Sequence, residues 1–130
     1  MTLSRLQDLR RITDAVATAR QAEMAALRRQ EEQLLQSLRQ IEADRAEGLA
    51  TLDPEAPAVR AGAVMTWQGW VDAKRAGTLS ELATLRARMM AARERLGLAH
   101  GRDQALGGVS ASLSRQAATL AQRRQDNGAG

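Results

Sequence analysis

Apolar residues in the second half of the chain recur at steps that alternate between three and four. The run reads Val64, Trp67, Val71, Lys74, Thr78, Leu82, Leu85, Met89, Ala92, Leu96, Ala99, Asp103, Leu106, Ser110, Leu113, Ala117 and Leu120. Only Lys74, Thr78, Asp103 and Ser110 break its apolar character. Such alternation has a period of about 3.5 residues, the period of a left-handed coiled-coil seam. It is sustained for roughly eight heptads, more than the pattern needs to be diagnostic. A lone helix cannot cover a stripe of this kind, so the pattern requires a partner surface.

The first half carries two shorter stripes. Leu6, Leu9, Ile12, Val16 and Ala19 form one, and Met24, Leu27, Glu31, Leu34, Leu38, Ile41, Arg45, Gly48 and Leu52 form the other. Continued past Ala19, the first stripe falls on Glu23, Ala26 and Gln30, one residue out of phase with the second. A local change of supercoil near residues 20–24 is expected to absorb the shift. Thr2 or Ser4 can cap the first helix. The break between the halves runs from Gly48 to Pro57. Asp53, Pro54 and Glu55 read there as an N-cap, a first-turn proline and a first-turn acid.

These elements predict an all-α fold, an antiparallel two-helix coiled-coil hairpin with a longer second helix, as one domain over residues 1–130. Helix one is expected at about 3–49, the bend at about 50–57, helix two at about 58–124 and a frayed tail at 125–130. The glycines between Gly97 and Gly108 weaken helix two, but the unbroken phase of the seam argues for one continuous helix. Folding the chain at 50–57 sets Ile41 near Trp67, Leu27 near Leu82 and Leu9 near Ala99. Residues after Leu106 are then left without a partner in helix one, with Leu106, Leu113, Ala117 and Leu120 on one uncovered stripe.

Composition supports thin helix–helix contacts. Aromatic residues make up 2% of the chain, Trp67 and Trp70, with no Phe and no Tyr, too few for a thick globular core. There is no Cys, which excludes disulfides and zinc–cysteine sites. No apolar run approaches the ~20 residues of a membrane span. The opening Met1-Thr2-Leu3-Ser4-Arg5 lacks the apolar stretch of a secretory signal. The expectation is a cytoplasmic protein that does not insert into a membrane.

Net charge is +4. Residues 1–65 hold nine Arg against ten acids, and residues 66–130 hold ten bases against five acids. Arg86, Arg88, Arg93, Arg95 and Arg102 form the densest basic stretch, interrupted only by Glu94. No aromatic residue interleaves with them, so an exposed face or a docking surface for an acidic protein is favoured over nucleic acid.

The sequence holds no recognisable catalytic constellation. His100 is the single histidine, with Asp103 its only local acidic neighbour. Glu-x-x-His, phosphate-loop, H-E-x-x-H and G-x-S-x-G patterns are all missing. Neither an enzyme activity, a cofactor nor a metal is expected. The candidates for protein contact are Trp67, Trp70, Arg86, Arg88, Arg93, Arg95, Leu106, Leu113 and Leu120. For the two tryptophans, packing at the hairpin tip and exposure as an anchor for a partner both fit.

Several stretches together resemble the FliJ/YscO family of type III export proteins. They are the opening Leu3-Ser4-Arg5-Leu6-Gln7-Asp8-Leu9-Arg10-Arg11-Ile12, the Ala-rich stretch Ala15 to Leu27, the mid-chain break and the longer second helix. Trp67-Gln68-Gly69-Trp70-Val71-Asp72-Ala73-Lys74-Arg75, followed by Leu79 to Arg88, adds to the likeness. The resemblance implies a fold similar to the central stalk of rotary ATPases. It implies a non-enzymatic stalk or escort protein that binds and regulates a flagellar or injectisome export ATPase and links it to the export gate or to chaperones. It places such a protein in the cytoplasm, including the periphery of the membrane export apparatus. Beyond Trp67 and Trp70 the chain lacks aromatic residues suited to gate contacts, which weakens gate binding more than ATPase binding. The competing readings are a homo-oligomeric coiled-coil scaffold and, behind it, an Arg-rich nucleic-acid-binding rod.

Overall fold

A computed structural model describes residues 2–129. They form three helices: α1 (Leu3–Ala50), the short α2 (Pro57–Arg60) and α3 (Ala63–Ala129). The structure is all-helical, with no strand among the described residues, a long first helix and a longer last one. The chain packs as two units. One is Ala25–Met90; the other combines the chain up to Met24 with the chain from Ala91 onward. Each long helix contributes a segment to both.

In the Ala25–Met90 unit, Ile41 of α1 and Val71, Leu82, Leu85 and Met89 of α3 are buried. Leu27, Leu34, Leu38, Trp67 and Thr78 are half-buried beside them. These positions follow the three-four alternation of the sequence on both helices. Lys74 departs from it: its side chain is exposed and the half-buried position is Arg75.

Polar pairs set the register in this unit. Arg45 meets Asp72 at 3.2 Å, Arg75 meets Glu42 at 2.9 Å and Arg86 meets Glu31 at 3.2 Å. From Glu42 back to Glu31 is eleven residues, and from Arg75 forward to Arg86 is also eleven. Partner numbers therefore run in opposite directions at equal spacing. Exposed ion pairs of this kind contribute about 0–1 kcal/mol each, so they select the register and the apolar seam supplies most of the stability. The expected pairing of Ile41 with Trp67 is corrected by about nine residues: Gly48 lies against Trp67, and Glu42 against Arg75.

The bend is longer than expected, which accounts for that shift. Asp53 does not start a helix. Its carboxylate accepts the backbone N–H of Glu55 at 3.0 Å and its carbonyl accepts that of Ala56 at 3.2 Å, closing a turn. Pro57 then opens α2, which stops after Arg60. Gly62 has φ +88°, a left-handed conformation that costs glycine little and other residues much. It re-aims the chain, and α3 begins at Ala63 and not at about residue 58. At the far end α3 runs on to Ala129, past the expected limit of Arg124. Of the anticipated frayed tail, Gly130 lies outside the described residues and the rest is helical.

In the unit holding both chain ends, Leu6, Ala17 and Met24 of α1 and Ala92 and Ala99 of α3 are buried. Leu96, Asp103, Leu106, Ser110 and Leu113 are half-buried, and every described residue after Leu113 is exposed. Leu106 and Leu113 are thus partly covered, and the uncovered stripe starts beyond them. α3 is continuous from Gly97 through Gly108. At Gly97, Gly101 and Gly108 an added Cβ would meet nothing within 4 Å, so these glycines lower helix propensity without serving close packing.

Stability should reflect this division. Met24→Ala, at a fully buried position, is expected to cost about 2–5 kcal/mol in denaturant unfolding. Gly101→Ala is expected to add up to about 1 kcal/mol. Loss of stability on Gly101→Ala would mean that α3 needs a break there.

Candidate interaction surface

The phase of α1 decides which side chains reach solvent in the unit holding both chain ends. Counted back from Leu27 in alternating steps, the second stripe passes through Met24, Arg20, Ala17, Thr13, Arg10 and Leu6. Along it Leu6, Ala17 and Met24 are buried and Thr13 and Arg20 half-buried, while Arg10 stays exposed. Thr13 donates its hydroxyl to the Asp103 carboxylate at 2.8 Å. The guanidinium of Arg10 passes over Gly107, with Nη2 2.9 Å from where a Cβ there would stand. Glycine at 107 therefore gives the arginine room to cross α3.

The expected change of phase near residues 20–24 does not occur. α1 keeps one register throughout, and Leu9, Ile12 and Val16 are left outside the contact, with 38%, 60% and 42% of their surface exposed. A phase change would insert one extra residue between the stripes and so require unwinding α1 within about a turn or two. The helix stays regular instead and seats Arg10, Thr13 and Arg20 on the seam. The long arginine stems cover apolar surface while their heads reach water.

Two rows of side chains border one side of the helix pair here. Leu9, Val16 and Glu23 are spaced by sevens on α1, and Arg95, Arg102 and Val109 by sevens on α3. Sevenfold spacing keeps each row on one face of its helix. Arg95 joins Glu23 at 2.5 Å, so the two rows flank the same side. Ile12 and Ala19 lie just outside the first row, and Leu98 and Ala105 just outside the second. Leu98 is 60% exposed and Val109 49%. Arg5 and Asp8 line an open groove with Leu9 and Ile12.

Charge is concentrated in the same unit. Its ten Arg stand against six acids, net +4, whereas Ala25–Met90 holds nine bases and nine acids, net zero. Its ion pairs, Arg20 and Arg95, both converge on Glu23. Among the described residues Arg5, Arg10, Arg11, Arg93 and Arg102 have no ion-pair partner. Hydrogen bonds from Arg95 and then Arg20 hold the Glu23 carboxyl below the usual carboxylate range.

The residues singled out from the sequence are spread over both units. Trp67 is half-buried and packs on Gly48, where a Cβ would come within 2.6 Å of the indole ring. That contact favours its packing reading. Trp70 is 61% exposed, with the Lys74 ammonium 5.1 Å from its ring centre. Arg86 is paired with Glu31, and Arg88 lines an open groove with Gln30, Leu34 and Glu81. Arg93 is exposed, Arg95 is bound to Glu23, and Leu120 is 53% exposed. No single site gathers them. The first stripe predicts Leu9, Ile12 and Val16 on the seam, whereas the longer second stripe, extended backward, passes beside them. Among the described residues no three of His, Cys, Asp and Glu come together, and no helix is long and apolar enough to cross a membrane.

What fold and surface define is an all-helical protein that offers rows of exposed side chains along helices. Compared with protein families, with curated proteins and with solved structures, the chain gives no match.

The Glu23 pair makes stability depend on pH. Its folded pKa lies below the unfolded value of about 4.3, so its contribution is complete above that value and is lost as pH falls through the folded one. The stability gap between the wild type and Glu23→Gln should be open at about pH 6 and narrow as pH falls below about 4.3 in denaturant titrations. A gap independent of pH would show that the carboxylate charge is not what the arginines recognise.

Proposed function

We propose that the protein is an antiparallel two-helix coiled-coil hairpin with a longer second helix. We propose further that it acts as a non-enzymatic stalk or escort that binds and regulates a type III export ATPase, linking it to the export gate or to chaperones. The observation that carries this reading is the asymmetry between a 48-residue first helix and a 67-residue last one. The three-four seam stops at Leu113, and α3 continues uncovered through Ala117 and Leu120 to Ala129. A helix pair with a protruding end suits insertion into, or bridging from, a larger assembly. The sequence resemblance to the FliJ/YscO family supplies the particular partner, and a cytoplasmic position follows from the same resemblance.

A homo-oligomeric scaffold is the second reading, favoured by the exposed Leu9, Ile12 and Val16. The concentration of net positive charge in the same unit opposes it, since two copies would bring like charges together.

The test is co-purification of the chain with the export ATPase of its own organism, together with ATP hydrolysis rates. Binding accompanied by a changed rate is expected, and truncation after Leu113 should abolish the link to a second component while α1 and the seam stay folded. Absence of both binding and any change in rate would overturn the reading.

A further inference from the structure

The face bordered by Leu9, Val16, Arg102 and Val109 is not used by the fold. We infer that it docks an acidic amphipathic helix supplied by another protein. The inference stands apart from the export-ATPase reading, because it rests only on the apolar and basic positions of this face.

Three observations carry it. Leu9, Ile12 and Val16 are exposed at steps of three and four on α1, and Leu98 and Val109 are exposed on the α3 side of the same face. Such a strip matches the apolar stripe of one further helix laid along the pair. Arginine borders the strip on both helices. Arg102 lies one heptad from Arg95 in the α3 row, Arg5 lines the groove beside Leu9 and Ile12, and neither has an ion-pair partner among the described residues. The unit is net +4, with Arg115, Arg123, Arg124 and Asp126 of that count beyond Leu113; on this face Arg5 and Arg102 stand against one acid unpaired among the described residues, Asp8. Glutamates flanking the stripe of an incoming helix would meet Arg102 and Arg5 while its leucines cover Ile12 and Val16. A second copy would instead present arginine to arginine.

The probe is a fluorescein-labelled peptide of about 21 residues, with Leu at alternating three- and four-residue steps and Glu at most other positions. Its controls replace Glu by Lys or scramble the same composition. Anisotropy titrations with the full chain should show binding of the Glu peptide alone. Ile12→Ser with Val16→Ser, and separately Arg102→Glu, should each weaken it by about tenfold or more. Helicity by circular dichroism should be unchanged, since these side chains lie outside the packed seam. Undiminished binding by the variants, equal binding of the scrambled peptide or no binding at all would overturn the proposal. So would a dimer in light scattering that Ile12→Ser with Val16→Ser dissolves, which would assign the face to a second copy. A duplex oligonucleotide that displaces the peptide and is indifferent to the Ile12 and Val16 changes would assign it to nucleic acid.

Discussion

Two helices that touch along one line must agree on which residues lie on it, and that shared register governs the rest of this structure. In the Ala25–Met90 unit the alternating seam buries Ile41, Val71, Leu82, Leu85 and Met89. The Glu42–Arg75 and Glu31–Arg86 pairs flank the seam and fix the level at which the helices meet. In the unit with the chain ends, Met24 and Leu6 are the most completely buried large side chains. Once both are seated, helical geometry fixes where every residue between them points. Arg10, Thr13 and Arg20 turn toward α3, and Leu9, Ile12 and Val16 turn away. Local hydrophobicity would choose the reverse. Continuity of the helix overrides it, because the burial forgone at three half-exposed residues, at most about 1.5–3 kcal/mol each, is spread over many contacts that one register satisfies together.

The seam of α3 was legible from the sequence because its segment offers one apolar phase only, and residues from Val64 to Leu113 fall where the alternation places them, Lys74 excepted. The opening of α1 was ambiguous because Leu6 belongs to two phases at once. The pattern that wins contains two arginines and a threonine, whose fitness shows only beside Gly107 and Asp103. Those partners are some ninety residues away in sequence. The bend was misjudged for a related reason. Asp53, Pro54 and Glu55 carry the chemistry of a helix start, and the same chemistry closes a turn when a glycine a few residues on adopts a left-handed conformation. The packing of Trp67 depends on Gly48 across the pair, so the two readings of that residue could not be separated without the register.

Charge and exposed apolar surface coincide in one unit. Arginines outnumber acids there, and among the described residues the one ion-paired carboxylate, Glu23, engages two of them. Of the remaining arginines, Arg5 and Arg102 lie along a side that also carries uncovered Ile, Leu and Val. A helix pair whose own stability required that side would have buried it. Its exposure, together with the uncovered end of α3 beyond Leu113, is what a protein that works by contact would retain. The function proposed here depends on contact surfaces and not on a chemical centre.

The register itself is open to direct measurement, because the chain has no cysteine. Single cysteines placed in turn at each position from Leu6 to Met24 would report exposure through their rates of alkylation under native conditions. Minima at Leu6, Thr13, Ala17 and Met24, with maxima at Leu9, Ile12 and Val16, are the predicted result. Protection centred on Leu9, Ile12, Val16 and Ala19 would contradict it, and would return those residues to the seam and remove the exposed face.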